Sequence, residues 1–301
     1  MRVFVRVVDL GSFARAAAAL DMSAAVVTRN VADLEAHLGT RLLNRTTRRL
    51  SLTETGAQYV ERVRHILTDI DDADAVAASS ARQPSGTLRV YCQPGFGQAQ
   101  LAALLPRFAA LMPGVVLDVT LSDHEVDLVH EAYDVGIFID LQKFDSTLIA
   151  RRLGMSTVVL CASPDYVARH GAPATPLEVA AHPCLNFAYE QLRSHWMLEW
   201  EGRQVSVPVH SRMVSNSGVV LRHAALAGMG VMLQTSFSVK DDFDRGRLLR
   251  LLPEHHLGQL SVMMVYPSRR LLSAKVRGFV DFMSAQFPQP ESDPWLSAGV
   301  A

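Results

Sequence analysis

The sequence predicts a multidomain α/β protein: an N-terminal winged helix-turn-helix, a long linker helix, and a C-terminal portion in which strands and helices alternate. Three observations carry this prediction. Residues 1–52 hold three short helical patterns followed by two strand-like runs around a polar turn. From Thr53 a helical pattern runs on to about Ala81 and is broken by "RQPSG" (82–86). Beyond it, "TLRVYC", "QLAALLPRFAALMP", "VVLDVTL", a short helix ending at Ala132 and "DVGIFI" give a βαβαβ order, which implies a largely parallel sheet. At 301 residues the chain is long for one core, so two or three domains are expected.

Val3, Phe4, Val7 and Val8 recur at helical spacing as far as Gly11, so residues 2–9 form an amphipathic helix. Ser12 is an N-cap for "FARAAAAL", which ends near Asp21. Ser23 caps "AAVVTRNVADLEAHL", and Gly39 stops it. Small residues at Ala16 and Ala17 let the second helix pack closely on the third. In the third helix Val27, Val31, Leu34 and Leu38 make an apolar stripe, which leaves Ala24, Ala25, Thr28 and Arg29 near its N-terminal exposed face. The residues expected to meet nucleic acid are Ser23, Ala24, Val27, Thr28 and Arg29. The plainer alternative is that Thr28 and Arg29 only solvate a surface helix.

"RLLNRT" and "RRLSLT" follow as two strands around a turn, which turns the helix-turn-helix into a winged one. Arg45, Thr46, Arg48 and Arg49 then sit on the wing, where phosphates or a minor groove pass. Charge agrees with this placement. Residues 1–65 contain ten Arg against six Asp and Glu, while the whole chain carries a net charge of −1. One basic module on a mildly acidic body points to a polyanion partner for that module alone.

In the linker, Val60, Val63, Leu67 and Ile70 lie on one stripe and form a short coiled-coil-like seam. The same periodicity also fits a helix packed on its own domain. After "LIARRLG" the strand–helix pattern restarts with "TVVLCAS", "PDYVARHG", "PCLNF", "WMLEW" and "VSVPVHSRMVSN". A helix "GVVLRHAALAG", a strand "VMLQT" and a closing helix (Leu271–Phe287) complete it. The tail "PQPESDPWLSAGVA" (288–301) has the composition of a disordered segment.

Several chemistries are excluded. HExxH and GxSxG are absent, His255–His256 has no paired cysteines, and "AGMGV" lacks the rest of a dinucleotide fingerprint. No enzyme activity, metal or cofactor is therefore expected. Cys92, Cys161 and Cys184 are odd in number and far apart, as buried thiols in a reducing cytoplasm would be. Cys92 ends a strand and is expected to be a small buried side chain rather than a redox sensor. Apolar stretches end well short of the roughly 18–20 residues a membrane span needs, so no membrane partner is expected. The arginines within "MRVFVRVVDLGSF" argue against a signal peptide, and the expected location is cytoplasmic.

The run "GSFARAAAALDMSAAVVTRNVADLEAHLGTRLLNRTTRRLSLTETG" resembles the DNA-binding domain of LysR-type transcriptional regulators. It carries that family's G-S-F-x-x-A-A, S-x-x-x-[ST]-R, L-E-x-x-L-G-x-x-L-[LF]-x-R and L-T-x-x-G elements in order. "LLPRFAALMPGVVLDVTLSD", "DLVHEAYDVGI", "STLIARRLG" and "AALAGMGV" extend the resemblance into a two-lobed effector domain of periplasmic-binding-protein type. Two departures stand in the first module: the first helix begins about five residues later than usual, and Ala24 and Ala25 replace the common Gln and Pro. A third is "IFID", where an "IRxG" pattern is frequent; it puts Phe138 and Asp140 in place of a cation.

The resemblance implies a homodimer or homotetramer on a double-stranded promoter operator, with RNA polymerase as a further partner, and favours the seam as the dimerisation element. It implies residues 1–53 as the DNA-binding domain, 54–82 as the linker and dimerisation helix, and 83–287 as the effector domain. Lobe I is expected over about 87–155 and 263–287, and lobe II over about 156–262. In open α/β folds ligands sit at strand carboxyl ends near helix N-termini. The candidate effector residues are then Gln93, Pro94, Gly95, Phe96, Ser122, Phe138, Asp140, Asn186, Asn216 and Ser217. Ser and Asn at a helix start favour an anion, so a small organic acid is the expected effector; the cation lost and anion gained at "IFID" leave an apolar or amine-bearing effector as the alternative. The competing expectation is a small-molecule receptor or enzyme that uses the winged helix only to dimerise.

Overall fold

The computed structural model describes residues 1–46, 49–78, 84–140, 148–267 and 272–296. The chain divides into two compact units, Met1–Gly86 and Thr87–Ala301.

In the first unit, α1 (Arg2–Leu10), α2 (Phe13–Ala19) and α3 (Ala24–Leu38) lead into the hairpin β1 (Leu43–Thr46) and β2 (Arg49–Leu52), then α4 (Glu54–Ala78). The caps are those read from the sequence. The Ser12 and Ser23 hydroxyls accept from the backbone N–H groups of Arg15 and Val26. Gly39 closes α3 in the left-handed region at φ 65°, where a side chain would be strained. Phe4, Val7, Ala16, Ala17, Val27, Val31, Leu42, Leu43 and Val60 form the core that binds helices to wing.

The second unit is built on a sheet ordered β10 (His210–Ser215), β7 (Pro183–Phe187), β11 (Val231–Thr235), β6 (Leu148–Ala162), β13 (Gln259–Pro267), β5 (Val135–Ile139), β3 (Gly86–Cys92) and β4 (Val115–Leu121), with β12 (Leu249–Leu251) also paired to β6. β3 (Gly86–Cys92) leads into α5 (Pro94–Phe96), which continues through a π-turn (Gly97–Leu101) into α6 (Ala102–Leu111). This helix starts six residues earlier than the apolar pattern indicated, because Pro94 occupies its first turn, where a missing N–H costs nothing. β4 (Val115–Leu121) and β5 (Val135–Ile139) follow. The helix expected before Ala132 is absent. The Asp127 carboxylate accepts from the N–H groups of Val129 and His130 instead, and the chain there forms turns.

β6 (Leu148–Ala162) is a single strand of 15 residues, about 50 Å long. Its first part pairs antiparallel with β13 (Gln259–Pro267) as far as Thr157↔Gln259. From Val158 onward it pairs with β11 (Val231–Thr235), and near its end with β12 (Leu249–Leu251). The partner change at 157–158 marks the passage from one lobe to the other. Between β6 and β11 come α7 (Pro164–His170), β7 (Pro183–Phe187), the β8–β9 hairpin (His195–Trp200, Arg203–Pro208), β10 (His210–Ser215) and α8 (Gly218–Leu226). α9 (Ser236–Asp244) follows β11, and α10 (Ala274–Gln286) closes the fold.

Lobe I has its core at Leu88, Phe96, Phe108, Ile137, Met264, Phe279 and their neighbours. Lobe II has one core on each face of its half-sheet, around Trp196 and Tyr166 on one side and Leu221 and Met232 on the other. Among the described residues, no helix is long and apolar enough to cross a membrane, and no cluster of candidate metal ligands occurs.

The tail expected to be disordered is folded through Leu296. Trp295 is buried in the lobe I core, and Asp293 accepts hydrogen bonds from Thr157 and Ser236. A Pro- and Ser-rich composition signals disorder only when no apolar anchor follows, and Trp295 is such an anchor. Residues 297–301 lie outside the described residues.

Candidate nucleic-acid interface and ligand cleft

α3 turns about 100° per residue, so the buried Val27 and Val31 put Ala25 and Arg29 on the opposite face. Val27 is fully buried, which corrects its expected place among the DNA-facing residues. Its side chain belongs to the stripe that holds α3 down. Ser23, Ala24, Ala25, Val26, Arg29 and Asn30 are exposed. The Thr28 hydroxyl donates to the Ala24 carbonyl at 2.8 Å, which leaves it only acceptor capacity toward a partner. The Arg29 side chain is 85% exposed and lies 4.0 Å from Asp33. Such a solvated i,i+4 pair is worth little and exchanges readily for a phosphate or a base.

The wing is fixed to this helix by one carboxylate oxygen. Glu35 Oε1 accepts from the N–H groups of Leu42 and Leu43 at 2.8 and 3.0 Å. Thr53 closes the hairpin base, donating to the Arg41 carbonyl and accepting from Gly56 N–H. β1 and β2 pair in the register Leu43↔Leu52 to Thr46↔Arg49. Arg48 and the side chains of Arg45, Thr46 and Arg49 lie outside the described residues.

In the second unit, β3, β4, β5 and β7 end on the loops where the ligand residues were expected. Gln93 bridges two of these ends, since its Oε1 accepts from Ile139 N–H at 2.7 Å. Ser122 is held by Tyr91, whose hydroxyl lies 2.6 Å from the Ser122 and His124 carbonyls. Asp140 is exposed and adopts φ 55° as β5 ends. Ser217 caps α8 without a side-chain bond to it, and its own N–H is taken by Ser215 Oγ.

Phe187 and Tyr189 stack at 5.6 Å with an interplanar angle of 16°. Burial raises the Tyr189 phenol pKa, and the nearby Asp123 carboxylate raises it further. Asp123 follows β4 in lobe I and Tyr189 follows β7 in lobe II. Asp123 itself is raised by burial, against which His124 acts.

Residues 1–57 match the model described as "Bacterial regulatory helix-turn-helix protein, lysR family", and residues 81–288 match "LysR substrate binding domain". The chain belongs to the LysR family of transcriptional regulators. An uncharacterized HTH-type transcriptional regulator of Haemophilus influenzae is 35% identical over 276 residues, covering 92% of this chain and 96% of that protein. The regulator CrgA of Neisseria meningitidis serogroup C is 35% identical over 285 residues, 94% of each chain. Among solved structures, CrgA from Neisseria meningitidis superposes with a TM-score of 0.64 at 34% identity, covering 96% of this chain and 98% of that one. Full-length AphB from Vibrio cholerae gives 0.60 at 25% identity, with 95% and 98% covered. The chain is thus a DNA-binding LysR-type regulator with an effector-binding domain, and its relatives are named as regulators rather than enzymes.

Three of the residues expected in the regulator's ligand site are turned elsewhere. Phe96 is fully buried in the lobe I core against Phe237 and Trp295. Phe138 packs on Tyr91 and Leu128 across the sheet. Asn186 is buried, and its amide donates to Ser211 Oγ at 2.6 Å and the Arg193 carbonyl, tying β10 and the turn before β8 to β7. Asn and Phe at a strand end read alike whether they face a cleft or a core.

The expected dimer seam is also partly occupied. Val60 lies in the core of its own unit and Val63 is fully buried, because α1 packs along this stretch of α4. Ile66 and Ile70 remain exposed and Leu67 half-buried. Glu35, Asp123 and Tyr189 carry no expected role in the sequence, whereas Thr53, the expected N-cap of α4, does cap it by accepting from Gly56 N–H. Glu35 and Thr53 stand inside the L-E-x-x-L-G and L-T-x-x-G elements, whose spacing carried the signal. Asp123 and Tyr189 lie in different lobes, so no local sequence pattern relates them.

Proposed function

We propose that this regulator reads an operator through Ala24, Thr28 and Arg29 of α3 together with the wing arginines Arg45, Arg48 and Arg49. Its promoter occupancy is set by a small organic acid bound between the two lobes. The observation that carries the DNA-facing assignment is the exposure of Arg29 on the face of α3 opposite Val27 and Val31. Residues 1–53 serve DNA binding, 54–82 the linker, and 83 onward the effector domain, extended to Leu296 by the packed tail. The protein works in the cytoplasm as a homodimer or homotetramer, with Ile70 and Leu67 in the subunit contact and RNA polymerase as a further partner. Gln93, Ser122, Asn216 and Ser217 remain the effector-facing set, and the start of α8 is the place for the carboxylate. A ligand changes occupancy only through different affinity for two arrangements of the lobes.

The experiment is quantitative DNA binding at several salt concentrations, with and without benzoate and aliphatic dicarboxylates as probes. Arg29→Ala weakens binding at one position per half-site by roughly 1–3 kcal/mol if Arg29 reads a base. Equal loss on all sequences would make it a phosphate contact. The double change Arg48→Ala with Arg49→Ala flattens the salt dependence, and an unchanged slope removes the wing from the contact. Calorimetric silence toward every carboxylate tested would end the organic-acid assignment.

A further inference from the structure

The folded tail meets the effector domain where its two lobes join. Among the described residues, β6 changes partner there at Thr157–Val158, the chain returns to lobe I at Gln259 opposite Thr157, and β11 passes into α9 at Thr235–Ser236. Asp293 grips Thr157 and Ser236. Its Oδ2 accepts from Thr157 N–H at 2.7 Å, and its two oxygens lie 3.0 and 2.8 Å from Ser236 Oγ. Ser236 Oγ is in turn 2.8 Å from Ser156 Oγ. The Ser236 hydrogen goes to the carboxylate, so Ser156 must donate to Ser236. The result is a buried relay, Ser156 to Ser236 to Asp293, and both serines are fully buried.

The neighbours of Asp293 reinforce the grip. Ser292 presents its carbonyl to Met155 N–H at 2.9 Å. Glu291 pairs with Arg152. Trp295 enters the lobe I core against Phe96, Phe237 and Phe287, while Leu296 packs on the lobe II core around Leu221 and Met232. Two consecutive residues therefore touch both lobes. A Cβ on Gly154 would lie 3.2 Å from the Trp295 ring, so the strand passes close beneath it. Phe96 also ends α5, directly after Pro94 and Gly95.

We propose that Asp293 is a positioning residue that sets the resting angle between the lobes, with residues 291–296 acting as a brace across the hinge. This rests on the reading that effector binding works through the lobe arrangement. A ligand that closes the cleft must work against the brace or with it, and the brace fixes how much of the alternative arrangement exists beforehand. Loss of hydrogen bonds to a carboxylate raises a minor population on the order of tenfold to a hundredfold.

The test is the inter-lobe distance distribution of the full chain without ligand, measured by pulsed electron resonance. Spin labels sit at Arg107→Cys in lobe I and Arg203→Cys in lobe II, both exposed, and the sample is diluted with unlabelled protein. The parent chain gives one narrow distribution. Asp293→Asn places an amide N–H against the donors of Thr157 or Trp295, and Ser236→Ala breaks the relay with a smaller change. Each is expected to add a second distance population while the melting temperature moves by a few degrees at most. Unchanged distances in both variants, with or without a lower melting temperature, overturn the proposal. If Asp293→Asn does not fold, Ser236→Ala decides. Benzoate added to the parent chain reports on the effector reading separately, because the brace is read without ligand.

Discussion

Glu35→Ala tests whether the wing owes its position to α3. The change removes the single oxygen that accepts from both Leu42 and Leu43 N–H. Both leucines are buried, so their amides have no ready access to water once the carboxylate is gone. Hydrogen bonds to a charged group contribute roughly 1.5–3 kcal/mol each. Glu35 is half-buried and solvent screens it in part, so the expected total is about 2–4 kcal/mol. Glu35→Gln keeps an acceptor oxygen in place and should cost about 1 kcal/mol. Hydrogen exchange followed by peptide mass is the assay. The segment 41–46 should exchange faster by about the factor these energies imply, and operator affinity should fall with it, since Glu35 Oε1 is engaged by the wing's own amides. Equal protection of 41–46 in Glu35→Ala and in the parent chain would refute the reasoning, because it would mean that core packing alone holds the wing.

Three further outcomes follow from the structure. A methyl at Gly56 would lie 1.9 Å from the Leu42 carbonyl oxygen, so Gly56→Ala should destabilise the first unit by about 3 kcal/mol, read as lost protection in α1–α3 with the second unit unaffected. All three cysteines are buried and free, and burial raises their thiols, that of Cys184 to about 12; the native chain should resist Ellman's reagent at pH 7.5, and unfolding should release three reactive thiols. His182, whose Nδ1 lies 2.8 Å from the Tyr166 hydroxyl, is lowered by burial and then by His170. The folded state thus favours neutral His182: the stability this contributes is present above the ordinary histidine value of 6.5 and is lost as pH falls below it, so His182→Gln should flatten urea stability between pH 7 and pH 5.

The first unit was largely legible because its signals are local. Ser12, Ser23 and Gly39 cap helices through bonds within four residues, and the wing's two runs are adjacent in sequence. The second unit was legible in its alternation but not in its joins. "LIARRLG" and "TVVLCAS" are one strand, and nothing in residues 148–162 announces that its partner changes midway. "LSVMMVYP" is a buried strand without polar alternation, and it went unread although it forms the longest ladder of β6. "SFSVKDDFD" is a helix whose apolar residues serve two different cores, Phe237 in lobe I and Val239 in lobe II, so its periodicity is weak. In the candidate site, the exposure of Arg29 follows from the helix stripe, whereas the burial of Phe96 and Asn186 does not, because strand-end position does not say which side a side chain takes.

The route of the chain through the two lobes bears on how the protein is made. Lobe I begins at β3, but Val276, Phe279, Val280, Met283, Phe287 and Trp295 complete its core. Its sheet also waits for β13, which follows all the strands of lobe II. During synthesis, lobe II can therefore close on the ribosome while lobe I is still half a sheet with an exposed apolar face. At about 5–20 residues per second this interval lasts for several seconds. A chain that stops before Trp295 leaves the lobe I core incomplete although every strand of lobe II has already been made.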